Sequence, residues 1–297
     1  MSETADSRRR RLVLALALAF ALAQGSLAEE EYRPRVGQAG KDVIWVPTPD
    51  FLVERMLQMA QAGPRDYVVD LGSGDGRTVI LAAKKFRARS LGVEYNPKMV
   101  ELARRNAEKE GVAGGAKFVE GDIFAFDFGE ATVVTLYLLD ELNLRLRPRL
   151  LAMKPGTRIV SHEFDMGDWS PDETTTVNDH PARLWVVPAK LEGDWKLGYE
   201  IGAPAGAVLR FKQSFQHVEG TIVSSVVRLG LREPRLRGDR IEFGLVDFRG
   251  VLHEFSGRVR RNLISGSVSS AGAPGRRFRA ERIRTGEPYG SPVTPSR

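Results

Sequence analysis

The chain has 297 residues, 42% of them apolar and none of them cysteine, and carries a formal charge of +6. That apolar content supplies cores for one large domain or two modest ones, and the lack of cysteine excludes a disulfide framework. The charge is uneven: Gly206–Arg297 holds 17 Lys/Arg against 8 Asp/Glu, a basic face that is either simply solvated or turned to a membrane surface or an acidic partner.

Residues 1–28 read as a targeting segment. Arg8–Arg11 form a basic start, Leu12–Ala23 an unbroken apolar run, and Ser26-Leu27-Ala28 a small-x-small cleavage site. A helix of twelve residues rises about 18 Å, short of a hydrocarbon core of roughly 30 Å, which favours a cleaved signal over a spanning helix. Arg9-Arg10-Arg11-Leu12-Val13 also fits a twin-arginine signal loosely. The expected location is therefore the periplasm or cell envelope, or a membrane surface.

After a polar stretch, VIWVPTPDFLVERMLQMAQAG predicts a helix capped by Thr48 with Pro49 at its first position; Phe51, Leu52, Met56, Leu57 and Met59 form its apolar face, and Gly63-Pro64 stops it. Tyr67–Asp70 then reads as a short buried strand running into glycines at 72, 74 and 76, with an apolar helix from Thr78. A backbone without Cβ turns sharply and lies against a ligand, and the following helix aims free N–H groups at the same spot. The dinucleotide fingerprint needs glycine where this chain has Arg77.

The D-x-G-x-G-x-G spacing instead resembles motif I of the class I S-adenosylmethionine (SAM) methyltransferases. The resemblance implies that Gly72, Gly74 and Gly76, with Ser73 between them, admit the methionine end of SAM, and that Asp70 holds its amino group. The second strand, Ser90–Tyr95, ends on Glu94, eighteen residues past Gly76, where a carboxylate can accept from both ribose hydroxyls; a surface glutamate closing a strand is the alternative. Asn96-Pro97 caps the next helix. Lys117–Glu120 is a third strand, and in the resembling enzymes the acidic residue after it accepts from the adenine amine beside an apolar neighbour, which implies Asp122 and Ile123.

Ala131–Leu139 is nearly all apolar, as a central parallel strand would be. Leu142–Met153 predicts a helix kinked near Pro148, and Thr157–His162 a fifth strand. Strands alternating with helices predict a parallel α/β sheet of Rossmann-like type. VPTP at 46–49, DLGSGDGR at 70–77, the Asn96-Pro97 pair, TLYLL at 135–139 and PGTRIVSHEFDMGDW at 155–169 together resemble the small protein-lysine methyltransferases related to the mitochondrial lysine methyltransferase of ATP synthase. Tyr137 sits where such enzymes place substrate-contacting residues, and is equally compatible with a core position; Glu141 is a weaker candidate. The run His162-Glu163-Phe164-Asp165 lacks the spacing of a helical zinc site and reads as a loop near the substrate mouth. Trp169 reads as packing.

From Arg183 the pattern changes. RLWVVPAKL and WKLGYEI are compatible with the antiparallel pair that ends a methyltransferase sheet, and period-two alternation then continues to RRFRAERI. The expected organisation is a methyltransferase domain at 29–190, a smaller antiparallel β domain at 191–285, curved or partly closed, and a Pro/Ser/Gly-rich tail at 286–297. Glycines at 238, 257 and 266 hint at a weak repeat in the β domain. One aromatic among the arginines of 276–284 argues against nucleic acid as a partner.

The expected function is methyl transfer from SAM, by in-line displacement, to a lysine of a membrane or envelope protein. Two alternatives stay open: a small-molecule or lipid methyltransferase, and a SAM- or nucleoside-binding protein without turnover.

Overall fold

The computed structural model describes residues 32–199, 207–224, 228–247, 249–270 and 273–285, so the expected targeting segment at 1–28 and the tail at 286–297 lie outside the described residues. From Val36 onward the chain builds two sheets within one unit.

The first sheet has seven strands: β1 (Tyr67–Leu71), β2 (Arg89–Glu94), β3 (Ala116–Glu120), β4 (Val133–Leu136), β5 (Arg158–His162), β6 (Glu173–Val177) and β7 (His180–Val186), in the order β3-β2-β1-β4-β5-β7-β6. The first five are parallel, and β7 runs antiparallel between β5 and β6. Strands β1 and β4 are apolar at nearly every position because both faces are covered. Val68 and Val133 face Leu52, Val53, Met56 and Leu57 of helix α1 (Asp50–Met59). One residue on, Val69 and Val134 face Leu142, Leu146 and Leu150 on the other side, on the helix Asp140–Leu151. Each such buried side chain contributes about 1.5–3 kcal/mol relative to exposure.

Two further helices, α2 (Arg77–Phe86) and α3 (Pro97–Lys109), precede that one, which is α4. The expected cap of α3 is present: the Asn96 side chain accepts from Lys98 N at 3.0 Å, with Pro97 at the first position.

Three expectations are corrected. Thr48 does not cap α1, which starts at Asp50 with Pro49 in the cap position; the Thr48 hydroxyl pairs instead with His162 Nδ1 at 3.0 Å. Helix α4 begins at Asp140 and continues through Pro148. The carbonyl that Pro148 leaves without an N–H partner is that of Leu144, an exposed residue, so water can serve it. The antiparallel pair ending the sheet is β6 with β7, joined by a turn in which Asn178 and Asp179 have φ of 48° and 63°; WKLGYEI belongs to the second sheet.

The second sheet has nine antiparallel strands: β8 (Gly193–Leu197), β9 (Val208–Ser214), β10 (His217–Val223), β11 (Arg228–Gly230), β12 (Arg232–Arg237), β13 (Arg240–Val246), β14 (Leu252–Arg260), β15 (Leu263–Ser270) and β16 (Ala273–Thr285). Their order is β11-β10-β9-β8-β16-β15-β14-β13-β12, and Leu231 N donates to Gly220 O at 2.8 Å, which brings the two ends of the sheet together into a nearly closed barrel. Its interior is filled by side chains including Trp195, Phe211, Phe243, Phe255 and Phe278. Gly257 and Gly266 stand directly opposite each other, and a Cβ on Gly266 would lie 2.0 Å from Ser256 O. These glycines serve close strand approach under the Phe278 ring, not a sequence repeat.

The barrel is mounted firmly on the first sheet. Gly238 backs onto Gly156, Ala189 N donates to Gly238 O at 2.8 Å, and Trp169 stacks on Phe215 at 5.9 Å while its Nε1 donates to Gln216. Trp169 is therefore packing, as expected.

Candidate active site

A cleft lies at the C-terminal ends of β1, β2 and β4, walled by the glycine turn and by a strap of residues 38–48. Gly72 and Gly74 have φ of 84° and 53°, a left-handed backbone that glycine adopts without strain, and both line the cleft. Gly76, at φ 86°, does not: a Cβ there would meet Phe118 at 2.7 Å and Ala103 at 2.8 Å. The third glycine thus lets α2 pack against α3 and β3, in correction of its expected contact with the methionine end.

Four side chains of differing character surround the cleft. Asp70 is buried at the end of β1 and accepts from Thr135 Oγ1 at 2.6 Å; burial pushes its carboxyl up to about 7, with the nearby Glu94 and Asp75 charges adding to the rise. Glu94 closes β2 and accepts from Gly74 N at 3.0 Å and Asn96 N at 2.9 Å, so one carboxylate fixes the glycine turn and the next helix start together. Asp122 accepts from Phe124 N at 2.9 Å and from Lys41 Nζ at 2.7 Å, and the lysine holds its carboxyl below the usual range. Ile123 lines the cleft beside it and packs on the core.

Ser73 lies beneath the turn against Gly92, and its buried hydroxyl has no hydrogen-bond partner. An orphaned buried hydroxyl, two left-handed glycines and three carboxylates on successive strand ends fit a ligand with an amino-acid end and a nucleoside end. Asp70 suits the amino group, Glu94 the ribose, and Asp122 with Ile123 the base.

Sequence reasoning missed the strap. Gly37 N donates to Trp45 O and Trp45 N to Gln38 O, each at 2.9 Å, forming a small hairpin that sets the Trp45 ring over Gly74 and Lys41 over the Tyr95 ring. No periodicity marks this stretch, and its fold rests on contacts to residues far along the chain.

Tyr137 immediately follows β4 and is half-buried at the cleft edge, which makes it a site residue and not core. Its ring stacks on His162, 3.8 Å between centroids at 31°, and lies 6.0 Å from Phe164. His162 is held neutral: burial, then the neighbouring His180, lowers its pKa to about 4. Glu141 is exposed in the first turn of α4. Among the described residues no three His, Cys, Asp or Glu side chains are grouped to hold a metal.

A glycine turn after β1, acidic residues at the ends of β1 and β2 and after β3, and an aromatic residue after β4 define a SAM-dependent methyltransferase. Residues 70–173 match the family model of the ANTKMT methyltransferase domain. A protein-lysine N-methyltransferase of Saccharolobus islandicus (strain REY15A) is 46% identical over 151 residues, which cover 49% of this chain and 94% of that protein. The adenine nucleotide translocase lysine N-methyltransferase of Mus musculus is 31% identical over 135 residues, 45% of this chain and 58% of its own length. A solved structure, an RNA methyltransferase from Salinibacter ruber in complex with S-adenosyl-L-homocysteine, is 48% identical and covers 49% of this chain and 96% of that one, with a TM-score of 0.48. The chain belongs to the protein-lysine N-methyltransferase family, and its methyl donor is SAM.

Proposed function

We propose that the chain methylates a lysine side chain of a membrane or envelope protein, through a Rossmann-like class I domain at 29–190, with the β domain at 191–285 as its rigid companion. The observation that carries the reading is the juxtaposition of the cleft carboxylates with the half-buried ring of Tyr137 at the end of β4. The names of the relatives, two of them lysine methyltransferases, support the acceptor class. The exposed apolar side chains of Ile44 and Tyr95 in the cleft lining, with Phe51 and Leu139 close by, support an acceptor with apolar surroundings.

Bound SAM supplies a methyl group on a sulfonium, which a neutral amine displaces in line. The chain therefore has to align the amine and strip its proton. A lysine ammonium with an ordinary pKa near 10.4 has no lone pair, and desolvation against the Tyr137, His162 and Phe164 rings favours the neutral amine. Residues 1–28 are proposed to direct export, a reading that a reporter active only outside the cytoplasm, fused to Met1–Glu30, tests directly.

The enzymatic reading is tested by incubating the full chain and its Glu94→Ala variant with methyl-labelled SAM and fractionated cell envelopes. Label on protein lysines, absent with the variant, is the expected result. Label on low-mass compounds or RNA, with none on protein, would overturn the lysine reading. SAM binding without transfer to any fraction would leave only a binding protein.

A further inference from the structure

The run His162–Asp165 leaves β5 beside Tyr137, and Glu163 within it takes no part in the nucleoside cleft. Two of its neighbours in sequence, His162 and Phe164, both bring their rings to Tyr137. Glu163 itself is held in a tight turn, with its N–H donating to Pro181 O at 2.9 Å and Phe164 N donating back to His162 O at 2.8 Å. Its φ is 67°, a left-handed backbone uncommon for a residue with a side chain.

The Glu163 carboxylate is exposed, and among the described residues it has no hydrogen bond and no ion pair. Its charge nevertheless reaches the aromatic cluster: after burial, it is the second cause that pushes the Tyr137 phenol above its usual range. Asp140, Glu141 and Asp165 stand exposed on the same edge, where Asp165 N donates to Asp140 Oδ1 at 2.8 Å. Arg147, a cation of the same region, is engaged by Met166 O and Asp168. His162 offers no compensating charge, since its ring is 2% exposed and neutral at pH 7, and its Nε2 has no partner.

We propose that Tyr137, His162, Phe164 and Glu163 form the acceptor-lysine subsite, in which the three rings receive the methylene stem and the Glu163 carboxylate receives the ammonium. This rests on the lysine reading and adds how that lysine is selected. A carboxylate beside aromatic faces favours a long apolar stem ending in a cation. It disfavours neutral hydroxyl or amide acceptors, which leave the charge unpaired.

Glu163 binds the ammonium and is not the base. The ammonium gives its proton to water; the amine nitrogen then forms a bond to the methyl carbon as the carbon–sulfur bond breaks, and that electron pair stays on sulfur. The methylated nitrogen carries the positive charge and can release a second proton to water. Holding the cation stabilises the form that cannot react, so the carboxylate acts on binding more than on turnover.

The test uses the full chain, labelled SAM, and a synthetic leucine-flanked peptide with a single lysine. Glu163→Gln should raise KM for the peptide about tenfold with kcat within about twofold, the signature of lost uniform binding. The pH–rate profile should shift to lower pH, because the bound ammonium is no longer held protonated. SAM affinity by calorimetry should not change. Glu163→Asp should recover part of the KM, whereas Glu163→Gly, which relaxes the left-handed backbone, should recover none. Independently of turnover, the phenol titration of Tyr137, taken as the difference from Tyr137→Phe, should move to lower pH in Glu163→Gln. An unchanged KM, or an unmoved phenol titration, overturns the proposal. Wild-type protein that binds SAM yet transfers nothing to the peptide overturns the lysine reading itself, and the subsite with it.

Discussion

The two sheets treat buried polar groups differently. Among the described residues the first sheet and its helices bury ten polar or charged side chains, from Thr48 to His162, and the barrel buries two, Asp194 and His253. Both barrel residues are matched: Arg210 donates to Asp194 at 2.7 and 3.0 Å, and His253 sits between Asp247 at 3.2 Å and Ser270 at 2.7 Å. The orphaned side-chain atoms, such as those of Ser73, Asn143 and His162, all belong to the first sheet and its helices. An unsatisfied buried group costs about 1–3 kcal/mol, which the barrel avoids and the cleft region tolerates where ligands are to be met. The barrel is built for stability, and the α/β part spends some stability on a site.

A glycine replaced in each region should separate the two roles most sharply. Gly266→Val puts a Cβ where Ser256 O lies 2.0 Å away and Gly257 Cα 2.5 Å away, both immovable backbone. It should cost on the order of 4 kcal/mol or more, seen as loss of the cooperative thermal transition. Gly74→Ala meets the Trp45 ring at 2.6 Å, a side chain on a strap that can shift. It should cost only about 1–2 kcal/mol of stability for its left-handed backbone while weakening SAM binding by on the order of 100-fold. Equal stability losses would erase the contrast.

Asp70→Asn should split stability from function in a single residue. The folded carboxyl titrates at about 7 against an ordinary 3.8, so the native state binds its proton more tightly than the unfolded chain does. The resulting stability is fully present below pH 3.8 and is lost as pH rises through 7. Asparagine stays neutral, so at pH 8 the variant should be more stable than the parent by about 1–3 kcal/mol, yet bind SAM at least tenfold more weakly. In the parent, SAM affinity should fall as pH drops below about 7, by up to tenfold per unit, because the amino end needs the carboxylate. Affinity independent of pH between 5 and 8 would remove Asp70 from amino-group binding.

The same contrast explains what the sequence disclosed. The parallel strands were legible because burial on both faces leaves unbroken apolar runs, as in Val133–Leu136, and the glycine turn because φ above zero demands its residue type. Strand β6 was missed because it lies at the sheet edge, and Glu-Thr-Thr-Thr-Val shows no apolar alternation. The Asn178-Asp179 pair, which favours the left-handed turn found there, was the available signal. The Thr48–His162 bond spans 114 positions, so no local pattern marks it. Barrel closure was only half legible, since alternation gives strands but not the Leu231–Gly220 bond that joins the ends.

His162 should reveal its burial through pH. Its folded pKa of about 4 lies below the ordinary 6.5, so the unfolded chain binds the proton that the native state refuses. Stability contributed above pH 6.5 is lost as pH falls toward 4, by on the order of 1–2 kcal/mol. Replacing the ring by a group that does not titrate, as in His162→Gln, should flatten this part of the stability–pH curve whatever it does to stability at pH 7. A curve unchanged in slope would mean that His162 is solvated and not pinned between Thr48 and Tyr137.

The smallest effect concerns Lys41, which occupies Asp122 through an ion pair about one-third exposed on both sides. If Asp122 accepts from the adenine amine, the lysine competes for the same carboxylate, and SAM binding has to displace it or share the second lone pairs. Lys41→Met keeps the stem over the Tyr95 ring and removes the competing charge. SAM should then bind about two- to threefold more tightly at low salt, with the gain fading at high salt, as expected for a partly exposed pair. Weaker binding in Lys41→Met would instead make Lys41 part of the binding surface, and the strap a wall of the cofactor site in its own right.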